Sequence, residues 1–198
     1  MIASVYEVVT KPSDCAFVSG LPVTKEDFYR VRETKQSDYT SRFWHWPEYC
    51  DEFVDDYQSL KDQLLQQNVK VLDYASIDDF RGVWDRDYHA VVLFSHWNER
   101  GIEYRDGLVE CETIAATIPQ EIIAILDLCV CHPQALVRLL NASHSKLLTK
   151  AIWKSADPKY WCMFYKALFL LLQNQEFSYP DALDEITNAF LSPSTPEE

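Results

Sequence analysis

The stretch AVVLFSH at residues 90–96 decides the fold, together with IIAILDLCVCH at residues 122–132. Each begins as a short apolar run, which is the pattern of a strand buried on both faces of a parallel sheet. The first run leads to His96 and the second to Cys131. Because parallel strands end at one edge of a sheet, both side chains are expected in the crevice outside that edge. An imidazole beside a thiol can serve as a cysteine nucleophile and its base.

Strand and helix patterns alternate along the rest of the chain. Further strands are predicted at residues 4–9, 70–74, 102–104 and 147–153, and helices at 51–67, 76–84, 110–117, 133–141, 157–174 and 178–190. Residues 10–50 are predicted to be irregular. The alternation predicts an α/β fold, with a mostly parallel central sheet and helices on both faces. We expect a single domain over residues 1–192 and a disordered tail over residues 193–198.

Composition and charge exclude several function classes. The net charge is -13 and the isoelectric point is near 4.7. These values argue against direct nucleic-acid binding and against an anionic membrane surface, which both need a basic face. The beginning of the chain does not have the pattern of a secretory signal, and the six cysteines follow no disulfide framework. We therefore expect reduced thiols, a cytoplasmic location and no membrane association.

Several motifs resemble, in order, those of the CHAT domains, a family of caspase-like (clan CD) cysteine peptidases. The matching segments are VVLFSH at 91–96, IEYRDGLVE at 102–110, LCVC at 128–131, AIW at 151–153 before Asp157, FYKAL at 164–168 and DAL at 181–183. The resemblance covers roughly residues 65–192, about the last two thirds of the chain.

The resemblance implies a caspase-like fold and a cysteine-type endopeptidase. His96 would be the general base, Cys131 the nucleophile, and the backbone N–H groups of Trp97 and Cys131 the oxyanion donors. The partners would be a protein substrate and a regulatory or activating protein. The family needs neither a cofactor nor a metal. Two departures stand out: Trp97 replaces the usual glycine, and Cys129 occupies a position that lines the specificity pocket of relatives.

Other interpretations of the same residues stay open. Cys129 competes with Cys131 as nucleophile, because residues two apart on a strand share a face. Asp127 is either a pocket-lining carboxylate or a hydrogen-bonded residue inside the strand. His132 follows Cys131 directly and is expected to point elsewhere. A metal site built from Cys129, Cys131, His132 and Cys111 lacks the usual zinc spacing. The alternative function is a non-catalytic scaffold that binds a partner protein, and Trp97 is the residue that favours it.

Overall fold

A five-stranded parallel sheet forms the centre of the molecule. The computed structural model describes residues 10–34, 37–98, 101–151, 157–174 and 177–191. The strands there are β1 (Cys15–Ser19), β2 (Lys70–Leu72), β3 (Ala90–Phe94), β4 (Trp97–Asn98), β5 (Gly101–Tyr104), β6 (Gly107–Val109), β7 (Ala124–Cys129) and β8 (Leu147–Ala151). The central sheet has the order β2-β1-β3-β7-β8, and all its strand pairs are parallel. Strands β4, β5 and β6 form a small antiparallel sheet just after β3.

Helices pack on both faces of the central sheet. They are α1 (Lys25–Thr34), α2 (Trp46–Tyr49), α3 (Asp55–Gln66), α4 (Ile77–Val83), α5 (Cys111–Thr117), α6 (Gln134–Ser143), α7 (Pro158–Gln173) and α8 (Tyr179–Leu191). Alternate residues of β3 enter two separate cores. Val92 and Phe94 join α1, α3, α7 and α8, whereas Val91 and Leu93 join α4, α5 and α6. The predicted α/β class with a parallel sheet is confirmed. No helix in the described segments is long and apolar enough to cross a bilayer.

The prediction that residues 10–50 are irregular is wrong, because they contain β1 and α1. Strand β1 lies between β2 and β3, and all five of its residues are buried. The apolar run of β1, at residues 15–18, has only four residues and a single β-branched one, so it is a weaker strand signal than the run at 90–94. The strand predicted at 4–9, the end of the one predicted at 147–153 and the tail at 193–198 lie outside the described residues.

Strands β3 and β7 are neighbours, as predicted, and their register positions the candidate site. Ala90 pairs with Ile125 at one end of the ladder, and Phe94 pairs with Cys129 at the other. The ladder extends one step further, because the amide of Ser95 donates to the carbonyl of Cys129 at 3.2 Å. The two chains therefore leave the carboxyl edge of the sheet side by side.

Candidate active site

His96 and Cys131 occupy equivalent places at the carboxyl edge of the sheet. Each lies two residues beyond the Phe94–Cys129 pair that ends the ladder of β3 and β7. Both are half-buried and both line one cavity of about 660 Å³. The structure therefore brings together the two residues that the sequence predicts as base and nucleophile.

The imidazole of His96 lies in an environment that keeps it neutral. Its ring packs against the Tyr39 ring, with centroids 5.4 Å apart and planes inclined by 35°. Burial, together with the positive charge of Arg42, lowers the pKa of His96 to about 4, although the charge of Asp38 opposes the change. A neutral imidazole near neutral pH has a ring nitrogen able to accept a proton. The imidazole can therefore accept a proton, but a pKa this far below neutral makes it a weak base.

Cys131 lies in a bend between β7 and α6. The next residue, His132, has a φ of 53°, in the left-handed region that residues with a Cβ rarely adopt. Pro133 then precedes the first turn of α6. Unusual backbone conformations of this kind often occur where a functional side chain must be presented. His132 is exposed and also lines the cavity, so the expectation that it points elsewhere is wrong.

Cys129 lines the inner part of the same cavity but is chemically different. Its side chain is buried, and burial raises the pKa of the thiol well above its ordinary value. The nearby charge of Asp127 acts in the same direction. Because the thiolate is the nucleophilic form of cysteine, Cys129 is the poorer candidate of the two.

Asp127 is not a pocket-lining residue, and the prediction of that role needs correction. Its side chain is fully buried and is absent from the cavity wall. The hydroxyl of Tyr179 on α8 donates to its Oδ2 at 2.8 Å, and no described residue donates a hydrogen bond to its Oδ1. Residues alternate between the two faces of a strand, and this position directs the carboxyl into the core beneath α8. Burial raises its pKa to about 6.

The backbone N–H of Trp97 takes no part in the pairing of β4 with β5. The amide of Glu103 donates to the carbonyl of His96 at 2.9 Å, and Trp97 pairs with Ile102. Backbone groups of successive residues in an antiparallel strand point to opposite sides. The N–H of Trp97 therefore points away from β5. Trp97 lines the cavity, and its half-buried side chain packs against the core that includes residues of α4, α5 and α6.

Sequence reasoning missed four polar residues of the cavity wall: Tyr39, Arg42, Glu52 and Asp157. Tyr39 and Arg42 come from residues 10–50, which show no clear periodicity, and Glu52 lies near the start of the predicted helix at 51–67, where nothing marks it as a site residue. Asp157 does carry a sequence signal, but as a helix cap, and it does accept a hydrogen bond from the Lys159 amide at 2.8 Å. Only the folded chain shows that these side chains meet around His96 and Cys131.

The aromatic residues at 43–46 mostly pack a loop onto the fold. Phe43 contacts the rings of Tyr39 and Tyr49, and Trp46 contacts Phe28. Trp44 alone among them is strongly exposed, at 75%. Phe43 also reaches the cavity wall.

The four residues considered as metal ligands do not all line the cavity. Cys111 lies on α5 and does not line the cavity that holds Cys129, Cys131 and His132. Among the residues that the structure describes, no three His, Cys, Asp or Glu side chains are grouped as metal ligands would be.

No protein-family model matches the chain, and no curated protein matches it.

Proposed function

We propose that the chain is a cysteine endopeptidase with a caspase-like fold, similar to the CHAT domains, in which Cys131 is the nucleophile and His96 the general base. One observation carries the proposal. The two side chains leave neighbouring parallel strands at equivalent positions and line one cavity. This arrangement meets the general requirement for a nucleophile and a base that can reach the same substrate carbonyl.

In the proposed reaction, the neutral His96 takes the proton of the Cys131 thiol as the sulfur attacks the carbonyl carbon of a peptide bond. The N–H groups of Trp97 and Cys131 donate to the oxyanion that forms. The peptide bond then breaks, His96 gives its proton to the leaving amine, and a thioester remains. A water molecule, deprotonated by His96, hydrolyses the thioester and releases the thiol. No cofactor takes part.

The low pKa of His96 favours a gated enzyme. An imidazole with a pKa of about 4 does not form a stable imidazolium beside a thiolate at neutral pH. Attack and proton transfer must then occur together, and the resting protein should react slowly. A regulatory protein that rearranged Arg42 or the Tyr39 ring would change this balance. We therefore propose that the predicted activating partner acts on this proton transfer from Cys131 to His96.

The alternative is a non-catalytic scaffold, and the indole of Trp97 in the cavity wall favours it. The two functions differ in what happens at the thiol. A scaffold leaves Cys131 no more reactive than any other accessible cysteine. A peptidase acylates Cys131 in preference to the other five cysteines.

The deciding experiment is labelling with a peptide-based thiol-reactive probe, followed by mass spectrometry to locate the modified cysteine. We expect modification of Cys131, and we expect His96→Ala to slow it by about 10²-fold or more, because general-base assistance is lost. Cys131→Ala should abolish labelling and peptide cleavage. Cys129→Ser is the matched control and should keep substantial activity. Labelling that is equal in wild type and His96→Ala, with no cleavage by either, would support the scaffold.

A further inference from the structure

The cavity has an acidic end, formed by Glu52, Asp157 and the hydroxyl of Tyr39. Glu52 lies in the π-helical turn Cys50–Val54 before α3, and Asp157 is the N-cap of α7. Their carboxyl groups are within hydrogen-bonding range of each other. Both line the cavity that holds His96 and Cys131.

Within the described residues, no ion pair balances the charges of the acidic end. In the described part of the protein, neither Glu52 nor Asp157 forms a salt bridge. Burial and the neighbouring Asp157 raise the pKa of Glu52, and Lys159 offsets this only in part. Arg42 lines the same cavity with its guanidinium over the Tyr39 ring, 5.6 Å from the ring centre, but among the described residues it forms no salt bridge with either carboxyl group. A bound cation would stabilise two adjacent carboxyl groups that have no such ion-pair partner.

Tyr39 provides a second, independent indication of a ligand. Its side chain is 94% buried, and its hydroxyl has no hydrogen-bond partner. Buried hydroxyl groups in proteins are nearly always hydrogen-bonded, so one without a partner beside a cavity needs an explanation. The charges of Glu52 and Asp157 both act on this hydroxyl and, with burial, raise its pKa. The hydroxyl therefore belongs to the acidic end.

We propose that the acidic end binds the guanidinium group of a substrate arginine, with Glu52 and Asp157 as ion-pair partners and the Tyr39 hydroxyl as a further acceptor. A guanidinium has five N–H donors in a planar fork, which suits several acceptors better than the compact ammonium of lysine does. Trp161 and Tyr165 in the cavity wall can pack against its aliphatic stem. The inference rests on the proposed function, since that function supplies the peptide. The inference assigns recognition of the cation to the turn Cys50–Val54 and the start of α7, and not to the strand that carries Cys129.

The test compares two peptides that differ in one side chain. Acetyl-Ala-Ala-Arg-Ala-amide and its citrulline counterpart have nearly the same shape, but only the first is charged. Both peptides are titrated into Cys131→Ala, which can bind a peptide but cannot cleave it. Binding is measured by NMR at low salt. We expect the arginine peptide to bind about tenfold more tightly, because hydrogen bonds to charged groups are the stronger ones.

Three further variants in the Cys131→Ala background identify the residues. Glu52→Gln with Asp157→Asn should abolish the preference for arginine, and asparagine can still cap α7. Either single change should reduce the preference in part. Asp51→Asn is the matched control, because Asp51 is exposed and outside the cavity wall, and it should leave the preference unchanged. Equal affinity for both peptides, no measurable binding of either at millimolar concentration, or a preference that survives the double change would overturn the inference.

Cleavage of the same peptides by the activated wild type separates this inference from the proposed function. Preferential binding of the arginine peptide without any cleavage would refute the peptidase and leave cation recognition in place. Cleavage of both peptides at equal rates would support the peptidase and refute the arginine site.

Discussion

At the scale of single residues, the reactivity of the site depends on what surrounds His96. Desolvation by burial is the main cause of its lowered pKa, and the charge of Arg42 is the second. These two causes can be separated, because one comes from packing and the other from a single exposed side chain.

We expect Arg42→Gln to raise the pKa of His96 from about 4 towards, but not up to, its ordinary value. The positive charge that disfavours the imidazolium is removed, whereas burial against Tyr39 stays. The measurement is an NMR titration of the His96 ring protons. Arg86→Gln is the control, because Arg86 is exposed and precedes β3 at the opposite edge of the sheet. An unchanged pKa in Arg42→Gln would show that burial alone is responsible.

Sequence could predict His96 and Cys131 because each follows a recognisable apolar strand, and the ends of such strands converge. It could not predict Tyr39 or Glu52. Tyr39 lies in a segment whose path is set by tertiary packing rather than by a local period. Glu52 lies in a helix that the sequence does predict, but only tertiary packing brings that helix to the site. Both residues reach the site from the side of the sheet that carries α3 and α7.

At the scale of elements, a single carboxylate of β5 holds the loop that carries Tyr39. The buried Glu103 accepts hydrogen bonds from the Ser37 hydroxyl at 2.5 Å and from the amides of Asp38 and Tyr39 at 2.7 and 3.3 Å. Burial raises the pKa of Glu103, and these three donors oppose the change. The small antiparallel sheet thus fixes the Tyr39 ring against His96.

Glu103→Gln should loosen that loop. A glutamine amide offers one acceptor oxygen in place of two, and its NH₂ group faces donors. We expect a loss of about 1–3 kcal/mol in the free energy of unfolding, measured by urea denaturation. The pKa of His96 should rise as its ring becomes more exposed. Glu110→Gln, at an exposed position after β6, is the control, and an equal loss there would contradict the assigned role.

End signals made two helices predictable, whereas α1 was missed although Thr24 at its start accepts a hydrogen bond from the Asp27 amide at 3.2 Å. Ser76 and Asp79 form the capping box expected at the start of α4, and Asp157 with Pro158 opens α7 as expected. Strand β1 was missed although it is central, because its apolar run is shorter and has fewer β-branched residues than the run of β3. The sheet order likewise follows from long-range pairing, which no local pattern specifies.

At the scale of the whole molecule, two buried groups affect the pH dependence of stability in opposite directions. His96 has a lowered pKa, so the folded state binds fewer protons than the unfolded state between about pH 4 and pH 6.5. Its contribution to stability therefore increases as the pH rises through that range. Asp127 has a pKa raised from 3.8 to about 6, so the folded state holds a proton that the unfolded state has lost. Its contribution decreases as the pH rises from about 4 to 6.

Asp127→Asn should remove the second effect and reveal the first. From the pKa change, Asp127 costs the folded state about 3 kcal/mol once the pH exceeds its folded pKa. The free energy of unfolding of Asp127→Asn should therefore rise more steeply between about pH 4 and pH 6 than that of the wild type. Urea denaturation at several pH values measures this slope. Any loss of stability from placing an amide beside Tyr179 is the same at every pH, so it does not change the slope. Asp85→Asn, an exposed carboxyl, should give a curve parallel to the wild type. If Asp127→Asn is also parallel, then the buried carboxyl does not titrate in this range.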